Sequence, residues 1–199
     1  TLLAHVLLRI GGELCQSKFS PLSCELKIGY DEGDVPPFEI ALDEGRQISV
    51  TGIVDRADIF KADGRTYVRI VDYKTGQKSF KLSDVLYGLN MQMLVYLFTL
   101  CRNGGDMLGE DVVPAGILYM PVKRTVLSGD ISNSGEEIEK EYEKQLKMNG
   151  LLSDDLEVLK AMEKDMSGRF IPAQAKKDGS LSKRSSVANT EEFKLLERY

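Results

Sequence analysis

The sequence is short of the residues that build disulfide frameworks and zinc sites. Among its 199 residues are three cysteines, Cys15, Cys24 and Cys101, and a single histidine, His5. The cysteines show no paired spacing, which excludes a disulfide-stapled fold and a structural zinc site and favours free thiols in a reducing cytosol. His5 belongs to no metal-binding motif, and we interpret it as a structural or surface residue.

Long apolar runs are also missing. No apolar stretch approaches the ~20 residues that a membrane helix needs, so we expect no membrane span. Apolar residues make up 42% of the chain, enough for a globular domain with its own core. We expect residues 1–199 to form a single domain. Because the chain opens and closes in helical sequence and starts at Thr1, we also expect it to be part of a longer polypeptide.

An excess of positive charge is lacking too. The formal net charge is −5, which is unusual for an independent DNA-binding protein, because such proteins neutralise phosphates with lysine and arginine. Residues 169–187 are the local exception. Their basic side chains could hold a nucleic-acid strand or form a plain solvated loop, and both interpretations stand. These basic residues are Arg169, Lys176, Lys177, Lys183 and Arg184.

Two neighbouring apolar runs each end in a carboxylate. Asp55 closes the first run and Asp72 the second, and Asp63-Gly64 between them is a strong signal for a tight hairpin. The runs should therefore pair as antiparallel strands. Side chains two apart in a strand share a face, so Asp72 and Lys74 should project together.

Two carboxylates and an ammonium on one surface have a chemical use. Carboxylate oxygens suit Mg²⁺, which keeps water and substrate phosphate oxygens as its other ligands. Such a cation activates water and offsets charge on a phosphate, and a lysine can stabilise the same charge. The alternative is that Asp55 and Asp72 are strand-end residues in salt bridges with Arg56 and Lys74.

The order of three motifs makes a resemblance specific. They are Gly-x-x-Asp at residues 52–55, Asp-Tyr-Lys at residues 72–74 and Gln-x-x-x-Tyr at residues 92–96. Together they resemble the RecB-like branch of the PD-(D/E)XK nucleases, and within it the family of AddB nuclease domains from the AddAB helicase–nucleases. The resemblance implies an α/β fold, in which a mixed central sheet is flanked by helices in a restriction-endonuclease-like core.

The resemblance also implies roles for the motif residues. Asp55 and Asp72, with the main-chain carbonyl of Tyr73, would bind Mg²⁺ or Mn²⁺. Lys74 would position the attacking water, and Gln92 and Tyr96 would support the site and contact DNA. Without the other motifs, Gln92 and Tyr96 would indicate a polar helix flank and a core tyrosine. Glu25 is either a further acid near the metal or a strand-edge salt-bridge residue.

The family often carries an iron–sulfur cluster, but the tight cysteine group that holds it is missing from this sequence. We therefore expect no cluster in these 199 residues. The partners that the resemblance implies are DNA, as single strands, and an AddA-like helicase–nuclease subunit. The implied role is exonucleolytic end processing in double-strand-break repair in the cytoplasm. The rival hypotheses are a non-catalytic nuclease-fold scaffold or DNA-sensing module, and a stand-alone RecB-like nuclease.

Periodicity and turn signals place the remaining elements. We predict a helix over residues 84–101 with Ser83 as its N-cap, and a second, charged helix from Ser134 that ends at Asn149-Gly150. A third helix is predicted to run to Met162 with Ser153 as its cap. Further predicted elements are a helix over residues 1–18 and strands over residues 24–30, 38–42, 47–60, 65–73 and 112–122.

Overall fold

The fold is built on a six-stranded mixed sheet, seen in a computed structural model that describes residues 2–76, 80–85, 87–88, 91–122 and 143–198. The strands are β1 (Ser20–Ile28), β2 (Phe38–Ala41), β3 (Gln47–Val50), β4 (Gly52–Ala62), β5 (Arg65–Lys74), β6 (Val112–Pro121), β7 (Asn149–Ser153) and β8 (Val187–Ala188). The helices are α1 (Leu2–Gln16), α2 (Leu82–Val85), α3 (Gln92–Asn103), α4 (Gly105–Leu108), α5 (Leu156–Met162) and α6 (Thr190–Arg198).

The sheet has the strand order β1–β4–β5–β6–β7–β8. Strand β4 pairs antiparallel with β1 and β5, whereas β5 and β6 run parallel. Parallel neighbours need a long crossover connection, and here it carries α2, α3 and α4. Helix α3 packs back onto β5 and β6, and its residue Tyr96 lies over Gly52 at the start of β4.

Helices cover both faces of the sheet, which confirms the predicted fold class. On one face, Leu97 of α3 and Phe193 of α6 pack with Ile70 of β5. On the other face, Val6 of α1 and Leu159 of α5 belong to a second apolar cluster. No helix in the described part of the chain is long and apolar enough to cross a membrane.

The β4–β5 hairpin forms as predicted. Asp63 and Gly64 have φ angles of 51° and 76°, the positive values that a two-residue type I′ turn requires. The ladder runs from Ala62–Arg65 to Arg56–Val71. Asp55 and Asp72 are the next residues of the two strands beyond the last pair of this ladder.

The predicted helix over residues 84–101 is wrong in its first half. The structure instead has the short α2, which contains Ser83, and a separate α3 that begins at Gln92. Gly88 lies between them with φ of 74°, a left-handed conformation that ends a helix. Because of this break, Gln92 is the first residue of α3.

The predicted strand over residues 47–60 is two strands. Strand β3 pairs with β2 in a separate two-stranded sheet, and β4 starts after Thr51. The pairing of β4 with β1 begins only at the Ile28–Gly52 pair, so residues before Gly52 have no partner in the main sheet and turn to β2 instead.

The prediction for residues 149–153 is also wrong. Asn149 to Ser153 form β7, antiparallel to β6, and Asp155 rather than Ser153 caps α5 through its carboxylate. Gly150 has φ of 151° in this ladder, and a Cβ there would lie 2.0 Å from the Ile117 carbonyl oxygen. This glycine therefore serves close strand contact rather than the end of a helix. Most of the charged helix predicted from Ser134 lies outside the described residues.

Candidate active site

Asp72 and Lys74 form an ion pair at the end of β5. Lys74 Nζ lies 2.7 Å from Asp72 Oδ2 and 2.9 Å from Asp72 Oδ1. The Asp72 side chain is 18% exposed and the Lys74 side chain 34%, so solvent reaches both although each is partly buried. Tyr73 points to the opposite face, as the strand period requires, and its hydroxyl accepts a hydrogen bond from Arg56 Nη1 at 2.9 Å.

Asp55 meets the same strand from β4. Its Oδ2 accepts a hydrogen bond from the Tyr73 main-chain N–H at 2.8 Å. Asp55 is half-buried. Its hydrogen bond places the Asp55 carboxylate beside Tyr73, the β5 residue that stands between Asp72 and Lys74 in sequence.

Gln92 and Tyr96 lie one turn apart at the start of α3. Gln92 Nε2 donates to Tyr96 Oη at 3.0 Å. Tyr96 is mostly buried and its ring lies directly over Gly52, where an added Cβ would be 1.9 Å from Oη and 2.3 Å from Cζ. The structure thus brings the third motif against the glycine that begins the first.

Tyr119 of β6 is a neighbour of Asp72 that the sequence reasoning did not assign to the site. It stands beside Asp72 in the parallel β5–β6 register and is 1% exposed. Burial, and then the Asp72 charge, raise the pKa of Tyr119 to about 12, so its hydroxyl keeps its proton at neutral pH. The Gly-Ile-Leu-Tyr run at residues 116–119 was the available signal.

Beneath the site, on the opposite face of β4 and β5, lies a buried ion network formed by Glu13, Arg56, Asp58 and Arg69. Arg56 contacts Glu13 at 3.2 Å and Asp58 at 2.9 Å. Arg69 contacts the same two carboxylates at 2.5 Å and 2.9 Å. Each member is at most 2% exposed. Burial opposes the charge on Arg56, but Asp58, Tyr73 and Glu13 outweigh it and raise the pKa of the guanidinium.

The alternative for Asp55 and Asp72 was a salt bridge with Arg56 and with Lys74, respectively. The structure has the second of these salt bridges but not the first. Arg56 does not serve as the salt-bridge partner expected for Asp55, because it faces Glu13 and Asp58. Lys74 does pair with Asp72. The i, i+2 spacing of Arg56 and Asp58 places both side chains on one face of β4. Glu13, the other acid that Arg56 contacts, lies 43 residues from Arg56 in sequence, so no local pattern could identify it.

Glu25 and His5 lie in different places. Glu25 is exposed on β1, level with Asp55 between the Cys24–Arg56 and Leu26–Val54 pairs, with φ of 54°. His5 is exposed on α1 and lines a cavity with Glu163 and Phe170 that neither Asp55 nor Asp72 lines.

The donor set fits Mg²⁺ better than a caged transition metal. Within the described ranges, no group of three or more His, Cys, Asp or Glu side chains could enclose an ion. Asp55 and Asp72 instead offer two carboxylates next to the Tyr73 main chain, the first by its hydrogen bond and the second as the preceding residue. Mg²⁺ typically takes one or two protein carboxylates and completes its shell with water and substrate phosphate oxygens.

The three cysteines have different surroundings. Cys15 and Cys24 are exposed, whereas Cys101 is half-buried on α3, where burial and then Glu197 raise the pKa of its thiol to about 12. The absence of an iron–sulfur cluster from this chain stays a prediction, which iron analysis of purified protein checks.

The cysteines also give a prediction about reactivity. At pH 8 we expect Cys15 and Cys24 to react quickly with an aromatic disulfide reagent and Cys101 to react only after denaturation. With a pKa of about 12, Cys101 has on the order of a thousandth of the thiolate of an ordinary cysteine. The released chromophore counts the thiols, and Cys101→Ser identifies the slow one. Three equally fast thiols would contradict the prediction.

Comparisons with known proteins match nearly the whole chain. A family model described as the PD-(D/E)XK nuclease superfamily matches residues 3–188. The B subunit of the ATP-dependent helicase/deoxyribonuclease of Acetivibrio thermocellus is 44% identical over 96% of this chain, which spans 17% of that relative. Proteins of the same name from Clostridium botulinum (strain Loch Maree) and Clostridium novyi are each 41% identical, over 96% and 99% of the chain, which spans 17% of each.

Proposed function

The chain belongs to the PD-(D/E)XK nuclease superfamily, and from this premise we propose that it is a metal-dependent deoxyribonuclease domain that hydrolyses DNA phosphodiester bonds. The observation that supports the proposal is that the Asp55 carboxylate binds the N–H of Tyr73, which stands between Asp72 and Lys74 in sequence, while Lys74 pairs with Asp72. A scaffold protein has no need of two carboxylates and an ammonium in that arrangement.

The proposed metal ligands are the carboxylates of Asp55 and Asp72 and the main-chain carbonyl of Tyr73, with Mg²⁺ as the cation and Mn²⁺ as a substitute. Bound there, the cation supplies an activated water and offsets charge on the phosphate. Asp55 is held for this role by the Tyr73 N–H, and Asp72 by its pairing with Lys74.

Lys74 is proposed to position the attacking water. Its ammonium lies beside Asp72 and is one-third exposed, so a water or a phosphate oxygen can reach it. A cation already placed where charge develops needs no reorganisation during the reaction, which is the source of its catalytic effect.

Gln92 and Tyr96 are proposed to orient Lys74 or the phosphate. Their mutual hydrogen bond and the contact of Tyr96 with Gly52 fix both side chains relative to β4. These two residues, like Lys74, act by position rather than by exchanging protons.

We further propose that residues 1–199 are one nuclease domain of a longer, cytoplasmic helicase–nuclease subunit. It would act as an exonuclease on single strands during double-strand-break processing and recombinational repair, with an AddA-like subunit as its partner. Support comes from the relatives named as the B subunit of an ATP-dependent helicase/deoxyribonuclease, of which the chain spans 17%.

The charge distribution supports delivery of the strand by another part of the protein. Residues 31–50 contain six acidic residues and one basic residue, so the net charge of this segment is −5. The net charge of the whole chain has the same value. This acidic segment includes β2 and β3 and leads directly into β4. A polyanionic strand is therefore repelled from that side and must be guided to the site.

The test is a cleavage assay with end-labelled single-stranded and double-stranded DNA. Cleavage is expected with Mg²⁺ or Mn²⁺, is abolished by EDTA, and is faster on single strands. The full-length subunit with its partner is assayed in parallel with the chain alone. DNA binding without cleavage in both samples would instead support the non-catalytic rival, and cleavage in EDTA would overturn the metal assignment.

A further inference from the structure

The buried ion network touches the candidate site through the two residues that follow its carboxylates. Arg56 is the next residue after Asp55, and Tyr73 is the next after Asp72. Both point to the face of the sheet opposite the site, where Arg56 Nη1 donates to the Tyr73 hydroxyl at 2.9 Å. The guanidinium also lies over the Tyr73 ring, 5.9 Å from its centroid.

Tyr73 of β5 makes two hydrogen bonds to neighbouring residues of β4. On the site face, the Tyr73 N–H binds Asp55 Oδ2 at 2.8 Å. On the opposite face, the Tyr73 hydroxyl binds Arg56 at 2.9 Å. The main-chain N–H of Tyr73 thus binds Asp55, and its side-chain hydroxyl binds Arg56, the next residue in β4. A change in the direction of the Tyr73 N–H would strain the bond to Asp55, and a shift of the Tyr73 ring would strain the bond to Arg56.

Arg56 is itself immobilised from below. Glu13 of α1 and Asp58 of β4 both contact its guanidinium, and Arg69 of β5 contacts the same two acids. Arg69 also lies over the Phe19 ring, 4.8 Å from its centroid. Every member of the network is at most 2% exposed, so the Arg56 guanidinium is enclosed and held by contacts with Glu13, Asp58 and Tyr73.

We propose that Arg56 and Tyr73 are positioning residues, which set the distance between the Asp55 and Asp72 carboxylates and the orientation of the Tyr73 carbonyl from the opposite face of the sheet. The inference rests on the proposed function, since it assigns these three groups to the cation. Outer contacts of this kind typically alter metal affinity or activity by about 10–100-fold when they are removed.

The informative substitution is Tyr73→Phe. It deletes only the hydroxyl that accepts from Arg56, while Arg56 keeps Glu13 and Asp58. Substitution of Arg56 itself would leave two buried carboxylates, Glu13 and Asp58, to share Arg69 alone, and the loss of stability would obscure the effect on the site. The matched control is Tyr67→Phe, which deletes a hydroxyl from the same face of the same strand, six residues away from Tyr73.

The first readout is direct Mn²⁺ binding by calorimetry or electron paramagnetic resonance, without DNA. Tyr73→Phe is expected to weaken Mn²⁺ binding by about tenfold, and Tyr67→Phe to leave it unchanged. Tyr73→Phe is expected to melt at a lower temperature than Tyr67→Phe, because it leaves Nη1 of the buried Arg56 without its tyrosine acceptor, whereas Tyr67 bonds the exposed Arg65. The Mn²⁺ affinity is therefore the comparison that decides. A purely structural role would lower the melting temperature of Tyr73→Phe without altering its Mn²⁺ affinity.

The second readout is cleavage as a function of Mg²⁺ concentration. Tyr73→Phe should need about tenfold more Mg²⁺ for half-maximal kcat, with the KM for DNA unchanged. Wild-type Mn²⁺ affinity in Tyr73→Phe would overturn the positioning role. A wild-type protein that binds Mn²⁺ tightly but never cleaves DNA would overturn the proposed function, while the binding comparison would still decide the positioning role.

Discussion

Asp72→Ala is expected to abolish metal-dependent DNA cleavage, lowering kcat by at least about a thousandfold, because it removes a proposed cation ligand and the partner of Lys74. The fold should tolerate the change. Asp72 and Lys74 are both partly exposed, so the loss of their ion pair costs at most about 1 kcal/mol. Relief of the repulsion between Asp55 and Asp72 acts in the opposite direction.

The measurement combines kcat on labelled single-stranded DNA with the melting temperature of the same sample. The melting temperature should stay within about 4 °C of the wild-type value, the shift that 1 kcal/mol produces in a chain of this size. Asp111→Ala is the matched control, because Asp111 is an exposed carboxylate paired with Arg65 near the opposite end of β5. Full activity in Asp72→Ala would place the chemistry elsewhere.

Gly52→Ala is expected to lower both activity and stability. The new methyl carbon would lie 1.9 Å from Tyr96 Oη and 2.6 Å from Tyr96 Cε1, so the whole ring has to move. Tyr96 is 7% exposed and has no open space to move into without disturbing its neighbours. Overpacking of this kind costs about 1–3 kcal/mol, and we expect displaced Gln92 and Tyr96 side chains to reduce kcat by about 10–100-fold.

The control for Gly52→Ala is Gly11→Ala on α1, where an added Cβ meets nothing within 4 Å. That variant should be as active as the wild type and equally or more stable, because alanine favours a helix over glycine. Circular dichroism melts and cleavage rates are compared for both. A Gly52→Ala protein with wild-type kcat would show that the Tyr96 hydroxyl position does not matter for the reaction.

The features that the sequence predicted well are those set by local chemistry. The Asp63-Gly64 dipeptide determines the turn, and the turn determines the register of the β4–β5 ladder, which ends at Arg56 and Val71, next to Asp55 and Asp72. The strand period then puts Lys74 beside Asp72. Gln92 and Tyr96 are four residues apart, a spacing that places both on one face of a helix, and the structure joins them by a hydrogen bond.

The features that could not be predicted depend on residues far apart in the chain. Glu13 meets Arg69 across 56 residues, and no local pattern in α1 marks Glu13 as the acid that will be buried. Gly150 shows the related difficulty of one signal with two meanings. An Asn-Gly pair ends many helices, yet here Gly150 admits the β6 backbone at close range, which only the tertiary fold reveals.

The position of Glu13 has a consequence for where this folding unit begins. The sheet starts at Ser20, and a shortened chain that starts there would keep Arg56, Arg69 and Asp58 but lose Glu13. Two guanidinium groups would then share one carboxylate in the interior, and removal of one partner from a buried pair costs about 3–5 kcal/mol. We therefore expect the domain to require helix α1, although the six strands of the main sheet and all three motifs lie after it.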